Sequence, residues 1–211
     1  MRIVQQGSRS KEIVQITTDL VGAGVERVCY VHPEDPDKAI KIPVIKDNRQ
    51  SRREVKYYRK LVKRKGISFD HCPRYYGFVK TNLGDGFVVD LIRDYDGEVS
   101  KPLSWYLENE MEVSELPPYL DELKNYFLSN LIIFNYDMGL HNLLFQKCAP
   151  DKMRLVMIDG LGDTVAVTWL NLFASHVRRK IERRFSRFLQ ALYAAQQVVA
   201  YEDLLKQPVR Q

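Results

Sequence analysis

The sequence predicts an α+β fold with a strand-rich first half and a helical second half. Residues 13–92 hold short runs of β-branched and aromatic residues separated by Gly, Pro, Asn and Asp, a pattern typical of antiparallel strands joined by turns. From residue 93 onward, apolar residues recur at three- and four-residue intervals, as in amphipathic helices. We therefore predict a β-rich N-terminal lobe over residues 1–92 and a helical C-terminal lobe over residues 93–211, within one domain.

Composition and charge are those of a globular protein. Hydrophobic residues make up 45% and charged residues 28% of the 211 residues, which excludes a disordered or fibrous chain. The sequence shows no apolar leader and no apolar run long enough to span a bilayer, so we expect a cytoplasmic protein without a membrane span. Three cysteines without C-x-x-C spacing predict neither a disulfide framework nor a zinc site. The net charge of +5 suits an acidic ligand.

Five antiparallel strands and one helix are predicted for the N-terminal lobe. The strands cover residues 16–21, 27–31, 39–42, 72–79 and 86–92, and the helix covers residues 51–65. Gly22 and Gly24 form the first predicted turn and lack a Cβ, so their backbone N–H groups can approach a phosphate closely. A plain hairpin turn is the alternative interpretation of these two glycines.

Lys41 and Glu54 form a candidate ion pair. Lys41 is flanked by apolar residues within its predicted strand, and an ammonium buried there needs a partner. Glu54 lies near the apolar stripe of the predicted helix over residues 51–65, which we expect to pack on the sheet. Such a pair would hold the ammonium towards the phosphates of a nucleotide. The alternative is an exposed lysine on an edge strand.

The C-terminal lobe is predicted to begin after the polar connector at residues 93–98, and an adenine is expected against the backbone from Asp90 to Ile92. A short helix over 104–109 precedes a longer one that opens at Pro117, with inward side chains at Leu120, Leu123, Phe127 and Leu131. A strand-like segment at 164–167 then leads to a long helix. Its predicted inward residues are Phe173, Val177, Ile181, Phe185, Phe188 and Leu192, with its arginines mostly elsewhere around the axis.

Three polar side chains flank a predicted hairpin formed by the apolar runs 143–145 and 155–158. Asp137 and Asn142 precede the first strand and Asp159 follows the second, so the three should meet at one end of the hairpin. Carboxylate and amide oxygens suit Mg²⁺. This is the D-x-x-x-x-N … D arrangement of phosphoryl-transfer enzymes with the protein-kinase fold, although a lone Asp or Asn beside a strand is commonly a turn former.

Several segments distributed over residues 20–190 carry a family resemblance. They are residues 29–35, 41–42, 53–58, 73–77, 90–97 and 168–169. On these segments the chain resembles the protein-kinase-like superfamily and, more closely, the small bacterial YrbL family of PhoP regulatory network proteins.

This resemblance implies a compact bilobal protein-kinase-like fold, with a five-stranded antiparallel sheet and one helix in the N-lobe and a reduced, mainly helical C-lobe. Lys41 would pair with the α- and β-phosphates of ATP and with Glu54. Asp137 would act as the base or orienting group for an acceptor hydroxyl, while Asn142 and Asp159 would hold Mg²⁺.

Some positions depart from the eukaryotic kinase pattern. Asn135-Tyr136 replace His-Arg, Gly139 stands where a lysine is common, Gly160-Leu161 replace Phe-Gly, and Arg27 occupies the place of a third loop glycine. No Ala-Pro-Glu anchor follows Asp159, so the platform for a protein substrate is not evident. These departures leave the proposed metal ligands in place but question the efficiency of turnover.

The sequence thus predicts an ATP- and Mg²⁺-dependent phosphotransferase whose hydroxyl acceptor is a small molecule, sugar, lipid or protein. The alternative is a regulatory pseudokinase that binds nucleotide or a partner protein without turnover. A third hypothesis is nucleic-acid binding by the basic residues 178–187, which the sequence favours least because interleaved aromatic residues for base stacking are missing. The acceptor and the oligomeric state stay open.

Overall fold

The computed structural model describes residues 13–45, 49–135, 138–163 and 173–206, with side chains placed as far as residue 195. The fold is mixed α+β, with one five-stranded sheet, one three-stranded sheet and four α-helices in the described ranges. None of these helices is both long and apolar enough to cross a membrane. The predicted strand at 164–167 lies outside the described residues.

The predicted five-stranded antiparallel sheet is confirmed, in the order β1-β2-β3-β5-β4. Its strands are β1 (Leu20–Ala23), β2 (Arg27–His32), β3 (Asp35–Pro43), β4 (Tyr75–Thr81) and β5 (Gly84–Asp90). Helix α1 (Arg49–Leu61) follows β3 and ends four residues earlier than predicted.

The predicted start of the first strand at Ile16 is wrong, for a topological reason. The Val14 N–H donates to the carbonyl of Lys80 at 2.9 Å. Lys80 lies on β4, the edge strand at the opposite side of the sheet from β1. The chain therefore crosses one face of the sheet before β1 begins. On that face Ile16 is 8% exposed and belongs to a small apolar cluster with Ile40 and Ile42.

The predicted hairpin is confirmed and lies in a second antiparallel sheet. Strands β6 (Lys101–Pro102), β7 (Leu143–Ala149) and β8 (Lys152–Met157) pair in that order. The remaining helices are α2 (Leu103–Asn109), α3 (Pro117–Asn130) and α4 (Ala174–Lys206). Leu131 terminates α3 in a left-handed conformation with a φ of 49°.

The main hydrophobic core draws on the sheet, on α1 and on the helices beyond residue 93. It is one continuous cluster, so burial alone does not separate the two predicted lobes, and their boundary stays a prediction. Five of the six predicted inward residues of α4 are buried, namely Val177, Ile181, Phe185, Phe188 and Leu192. Phe173 is 53% exposed and lies one residue before the helix begins.

One hydrogen bond ties α1 to the segment after α3. The partly buried Tyr57 accepts the backbone N–H of Ile133 through its hydroxyl oxygen at 2.7 Å. Burial raises the pKa of Tyr57 well above its ordinary value, so the neutral phenol is the species present. This bond fixes the distance between α1 and the loop that leads towards Asp137.

We expect Tyr57→Phe to lower the free energy of unfolding by about 1–3 kcal/mol, because it leaves a buried N–H without a partner. Urea denaturation monitored by circular dichroism measures the change. Tyr95→Phe is the matched control, since Tyr95 is 56% exposed and should change stability by less than about 0.5 kcal/mol. Equal losses in the two variants would contradict a structural role for the Tyr57 hydroxyl.

Candidate functional site

The centre of the candidate site is the side chain of Arg27, which is only 7% exposed. Its Nη1 donates to Oε2 of Glu54, and its Nη2 donates to both carboxylate oxygens of Asp159, at 2.5 and 2.6 Å. Arg27 opens β2, Glu54 lies on the inner face of α1, and Asp159 follows β8. A single cation therefore joins the large sheet, the helix and the hairpin.

Lys41 enters the same cluster from the neighbouring strand. Its register partner is Cys29, two residues from Arg27, so the side chains of Lys41 and Arg27 share one face of the sheet. The Lys41 ammonium donates to the Ile158 carbonyl at 2.6 Å. Gly86 on β5 permits close strand pairing here, because a Cβ at that position would lie 2.9 Å from the Lys41 carbonyl oxygen. The site therefore depends on tight packing of β3 against β5.

The predicted direct contact between Lys41 and Glu54 is replaced by the Arg27–Glu54 ion pair. A planar guanidinium presents several donors in a fixed fork and can serve two carboxylates at once, whereas an ammonium is a point charge. Arg27 therefore bridges Glu54 and Asp159. Lys41 instead donates to the carbonyl of Ile158, just after the last residue of β8.

The pKa values of the two carboxyl groups in the cluster are shifted in opposite directions. Burial raises the pKa of Glu54, the Asp159 charge raises it further, and these effects outweigh the opposing charges of Lys41 and Arg27. Burial also acts to raise the pKa of Asp159, but the charges of Lys41 and then Arg27 outweigh it, so this pKa lies below its usual value. Lys41 is thus close enough to act on both carboxyl groups.

Asn142 and Asp159 lie at the same end of the hairpin, as the sequence predicted. The Ile158 N–H donates to the Asn142 carbonyl at 2.9 Å, so Asn142 is paired with the residue immediately before Asp159. Asn142 ends a short 3₁₀ turn that begins at Leu140. A Cβ at Gly139, just before this turn, would lie 2.5 Å from a ring carbon of His141, so a larger residue there would require the exposed His141 ring to shift.

A short backbone bridge places the start of the Asp137 loop beside the end of the Asp159 loop. The Asn135 N–H donates to the Gly160 carbonyl, and the Gly162 N–H donates to the Ile133 carbonyl, both at 2.7 Å. Asp137 itself lies outside the described residues, so its predicted role stays a prediction. What the structure does describe is the position from which its loop departs.

Helix α4 donates hydrogen bonds to both segments that form this backbone bridge. Arg184 is 1% exposed and donates to the Phe134 carbonyl and, at 2.7 Å, to the Asp163 carboxylate. Lys180 donates to the other oxygen of Asp163 at 2.6 Å. The sequence placed the arginines of this helix mostly away from its apolar stripe, and for Arg184 this was wrong, because its charge is neutralised by Asp163 inside the fold.

A small pocket opens between α1 and the backbone bridge. Its lining includes Gln50, Arg53 and Glu54 of α1 together with Asn135 and Gly160. The Oε1 atom of Glu54 is buried and has no hydrogen-bond partner in the described part of the chain. Since the other oxygen of Glu54 accepts from Arg27, the carboxylate retains capacity for one more donor.

The two predicted phosphate-loop glycines occupy different positions. Gly22 lies within β1 and not in the turn, because β1 extends to Ala23. The N–H of Gly24 donates to the carbonyl of Arg27 at 2.8 Å and closes the hairpin between β1 and β2. Their contact with a phosphate stays a prediction, and the Gly24 amide would have to leave Arg27 to make one.

The predicted adenine-contacting backbone is also hydrogen-bonded within the chain. The Asp90 N–H donates to the Arg74 carbonyl at 3.1 Å, and the Asp90 carboxylate accepts from the Arg74 N–H and the Tyr76 hydroxyl, both at 2.7 Å. The Ile92 carbonyl accepts the Ser100 N–H at 3.0 Å. The roles of Asp90 and Ile92 towards a nucleotide stay predictions.

The predicted Mg²⁺ ligands can be tested for chemical fit. Asp159 and Asn142 supply a carboxylate and an amide oxygen from adjacent positions, as Mg²⁺ prefers. Both oxygens of Asp159, however, accept from the same nitrogen of Arg27. In the ranges that the structure describes, no three His, Cys, Asp or Glu side chains are grouped to hold a metal ion. The donor set therefore fits Mg²⁺ only if Arg27 moves away from Asp159.

Sequence reasoning missed the roles of Arg27 and Arg184, although one signal was present. Arg184 follows Ile181 by three residues and precedes Phe188 by four, which places it on the apolar stripe of α4. For Arg27 the pattern gave no comparable sign, because its two carboxylate partners lie 27 and 132 residues away.

Comparison with known proteins identifies relatives across most of the chain. A family model described as "PhoP regulatory network protein YrbL" matches residues 14–193. "Uncharacterized protein YrbL" of Escherichia coli (strain K12) is 32% identical over 175 residues, which cover 80% of this chain and 82% of that protein. The protein of the same description from Shigella flexneri has the same identity and coverage.

We expect Arg27→Met to lower the free energy of unfolding at neutral pH by about 3–5 kcal/mol, because removing one partner of a buried ion pair leaves uncompensated charge. A carboxyl group whose pKa is raised in the folded state destabilises the protein as the pH rises above the pKa of the unfolded state, about 4.3 for Glu. Without Arg27 the pKa of Glu54 should rise further. The loss should therefore be larger at pH 8 than at pH 5 in urea denaturation.

Arg178→Met is the matched control, because Arg178 is exposed on α4. It should change stability by less than about 0.5 kcal/mol at either pH. A loss for Arg27→Met that is equally small, or one that grows as the pH falls, would show that Arg27 does not neutralise the two carboxylates.

Proposed function

This chain belongs to the PhoP regulatory network protein YrbL family, and from the geometry of its candidate site we propose that it is a kinase-like phosphotransferase that uses ATP and Mg²⁺. The supporting observation is the convergence of Arg27, Lys41, Glu54 and Asp159 from four separate elements. Gathering ionisable groups in a largely buried cluster is expensive, and carboxyl groups with shifted pKa values occur often at functional sites.

In this proposal Lys41 is the phosphate-binding cation. Its ammonium is held on the face of the sheet that carries Arg27, and the Ile158 carbonyl is one acceptor for its three N–H groups. Two donors therefore remain for the α- and β-phosphates of a nucleotide. Glu54 contributes indirectly, because its carboxyl group accepts from the Arg27 guanidinium and orients it.

Asp137 is the proposed base or orienting group for an acceptor hydroxyl. The backbone bridge and Arg184 hold the start of its loop against the segment that follows Asp159. Positioning of this kind supplies much of the rate acceleration in phosphoryl transfer, since the protein performs little covalent chemistry of its own.

Asn142 and Asp159 would hold Mg²⁺, which neutralises charge on the transferred phosphoryl group when it is bound. For this to happen the Arg27 guanidinium must leave the Asp159 carboxylate. We propose that Arg27 then turns towards the phosphates, where its charge stays compensated. The hydroxyl acceptor is a small molecule, sugar, lipid or protein.

A second candidate function is a regulatory pseudokinase, and the Arg27–Asp159 contact is the observation that favours it. A guanidinium on both Asp159 oxygens compensates their charge without any metal. A chain in which this contact persists could bind a nucleotide or a partner protein without turnover. The family description as a regulatory network protein is compatible with such a role.

We expect Lys41→Met to weaken ATP binding about tenfold or more, the loss of a charge-assisted contact of about 1.5–3 kcal/mol. Isothermal titration calorimetry of the full chain with ATP and Mg²⁺ measures this. Lys38→Met is the matched control on the same strand, because the Lys38 ammonium pairs with Asp35 at 2.5 Å and lies outside the cluster. Equal ATP affinity in both variants and the wild type would remove Lys41 from the site.

We expect Asp137→Asn to leave ATP binding nearly unchanged and to lower turnover by about 10²–10⁴, the usual effect of losing a positioned base. ATP consumption is measured across sugar, lipid and protein acceptors. The neighbouring Tyr136→Phe serves as the control for changes within the same loop. Equally negligible turnover in wild type and variant, with ATP still bound, would favour the pseudokinase over the phosphotransferase.

A further inference from the structure

Helix α1 has a buried inner face and an exposed outer face that is rich in cations. Its buried residues are Ser51, Glu54, Val55, Tyr58 and Leu61. The opposite side carries Arg52, Arg53, Lys56, Arg59 and Lys60, all exposed. Arg52, Lys56 and Lys60 follow one another at intervals of four residues and form one row, about 12 Å long at 1.5 Å per residue, with Arg53 and Arg59 on either side of it. We call these five cations the basic stripe.

In the parts of the chain that the structure describes, carboxylates leave most of the basic stripe unpaired. Arg52, Arg53, Lys56 and Lys60 form no ion pair with a carboxylate in the described parts of the chain. Arg59 lies over the ring of Phe78, 4.9 Å from its centroid. Surface lysines and arginines are usually mixed with acidic residues, so an unbroken cationic row is unusual for a merely solvated helix.

The charge of the whole chain is concentrated around this stripe. Residues 49–65 contain nine Lys and Arg against one acid, Glu54, which is buried, so this segment carries a net charge of +8. The full chain has 32 basic and 27 acidic residues. The remaining residues therefore hold 23 basic and 26 acidic side chains, a net charge of −3. A positive row on an otherwise mildly negative protein can orient a charged partner.

We propose that the basic stripe is a docking surface for an acidic amphipathic helix of a partner protein. A helix that carries Glu or Asp at every third or fourth residue presents its carboxylates with the same spacing as Arg52, Lys56 and Lys60. Its diameter of about 10–12 Å matches a single row. A straight row of positive charge therefore favours a partner that is both acidic and helical.

Nucleic acid fits this surface less well. Specific protein–DNA interfaces bury roughly 1,000–2,500 Å² of protein surface, far more than one short helix face offers. A duplex would extend past the stripe over a surface of net negative charge. Single strands need free aromatic faces for stacking, but Arg59 already covers Phe78 and Lys38 lies 4.6 Å from the ring centroid of Tyr76.

A membrane surface also fits less well. Helices that lie on a bilayer combine a basic face with apolar side chains that enter the lipid. The apolar side of α1 is instead buried inside the protein, with Tyr58 fully covered and Val55 4% exposed. The stripe itself contains no apolar side chain.

The test uses two synthetic helical peptides of identical composition, one with its glutamates in a single row and one with them distributed around the helix. Fluorescence anisotropy with the full-length protein at low and moderate salt gives the affinities. We expect the single-row peptide to bind more tightly, and this binding to weaken with salt. The variant Arg52→Glu/Lys56→Glu/Lys60→Glu should reduce its affinity at least about tenfold.

The matched control is Lys152→Glu/Arg178→Glu/Arg179→Glu, which reverses three exposed charges on β8 and α4 and changes the net charge equally. It should reduce affinity by less than about threefold. Circular dichroism melts check that both variants remain folded. The proposal is overturned by equal losses in the two variants, by no preference for the single-row peptide, or by tighter binding of a short DNA duplex or of anionic lipid vesicles at the same salt.

Discussion

The Arg27 guanidinium lies between Glu54 on α1 and Asp159 after the β7–β8 hairpin, and the arrangement of the candidate site depends on this bridge. Without it the two carboxyl charges would repel each other, and the pKa of Glu54 is raised first by burial and then by the charge of Asp159. Because the partners come from residues far apart in sequence, the bridge fixes tertiary structure as well as charge. It also occupies the group that a metal ion would need.

Helix α1 contributes to both the candidate site and the basic stripe. Its inner face presents Glu54 to Arg27, and its outer face carries the basic stripe. A partner helix bound along the stripe would therefore touch the same element that positions the ionic cluster. Tyr57 adds a further link from α1 to the loop leading towards Asp137. The basic stripe can affect the site through the position of α1, and Arg53 of the stripe also lines the pocket beside Glu54.

Local patterns predicted the elements well, since strand alternation and helical periodicity depend on neighbouring residues. The five-stranded sheet, the hairpin and the proximity of Asn142 to Asp159 followed from such patterns. The partner of Glu54 did not, because Arg27 and Lys41 share one face of the sheet and only side-chain reach decides between them. Ile16 was misplaced for a similar reason, as its neighbours bond to the distant edge of the sheet.

The most direct measurement is a crystal structure with Mn²⁺ in place of Mg²⁺ and a non-hydrolysable ATP analogue, in which anomalous scattering locates the metal. We expect a Mn²⁺ peak at the Asp159 carboxylate and the Asn142 amide oxygen, with Arg27 moved off Asp159 and Lys41 in contact with phosphate. An analogue bound elsewhere, or no metal peak at Asp159 while Arg27 keeps both of its oxygens, would contradict a metal-dependent phosphotransferase site.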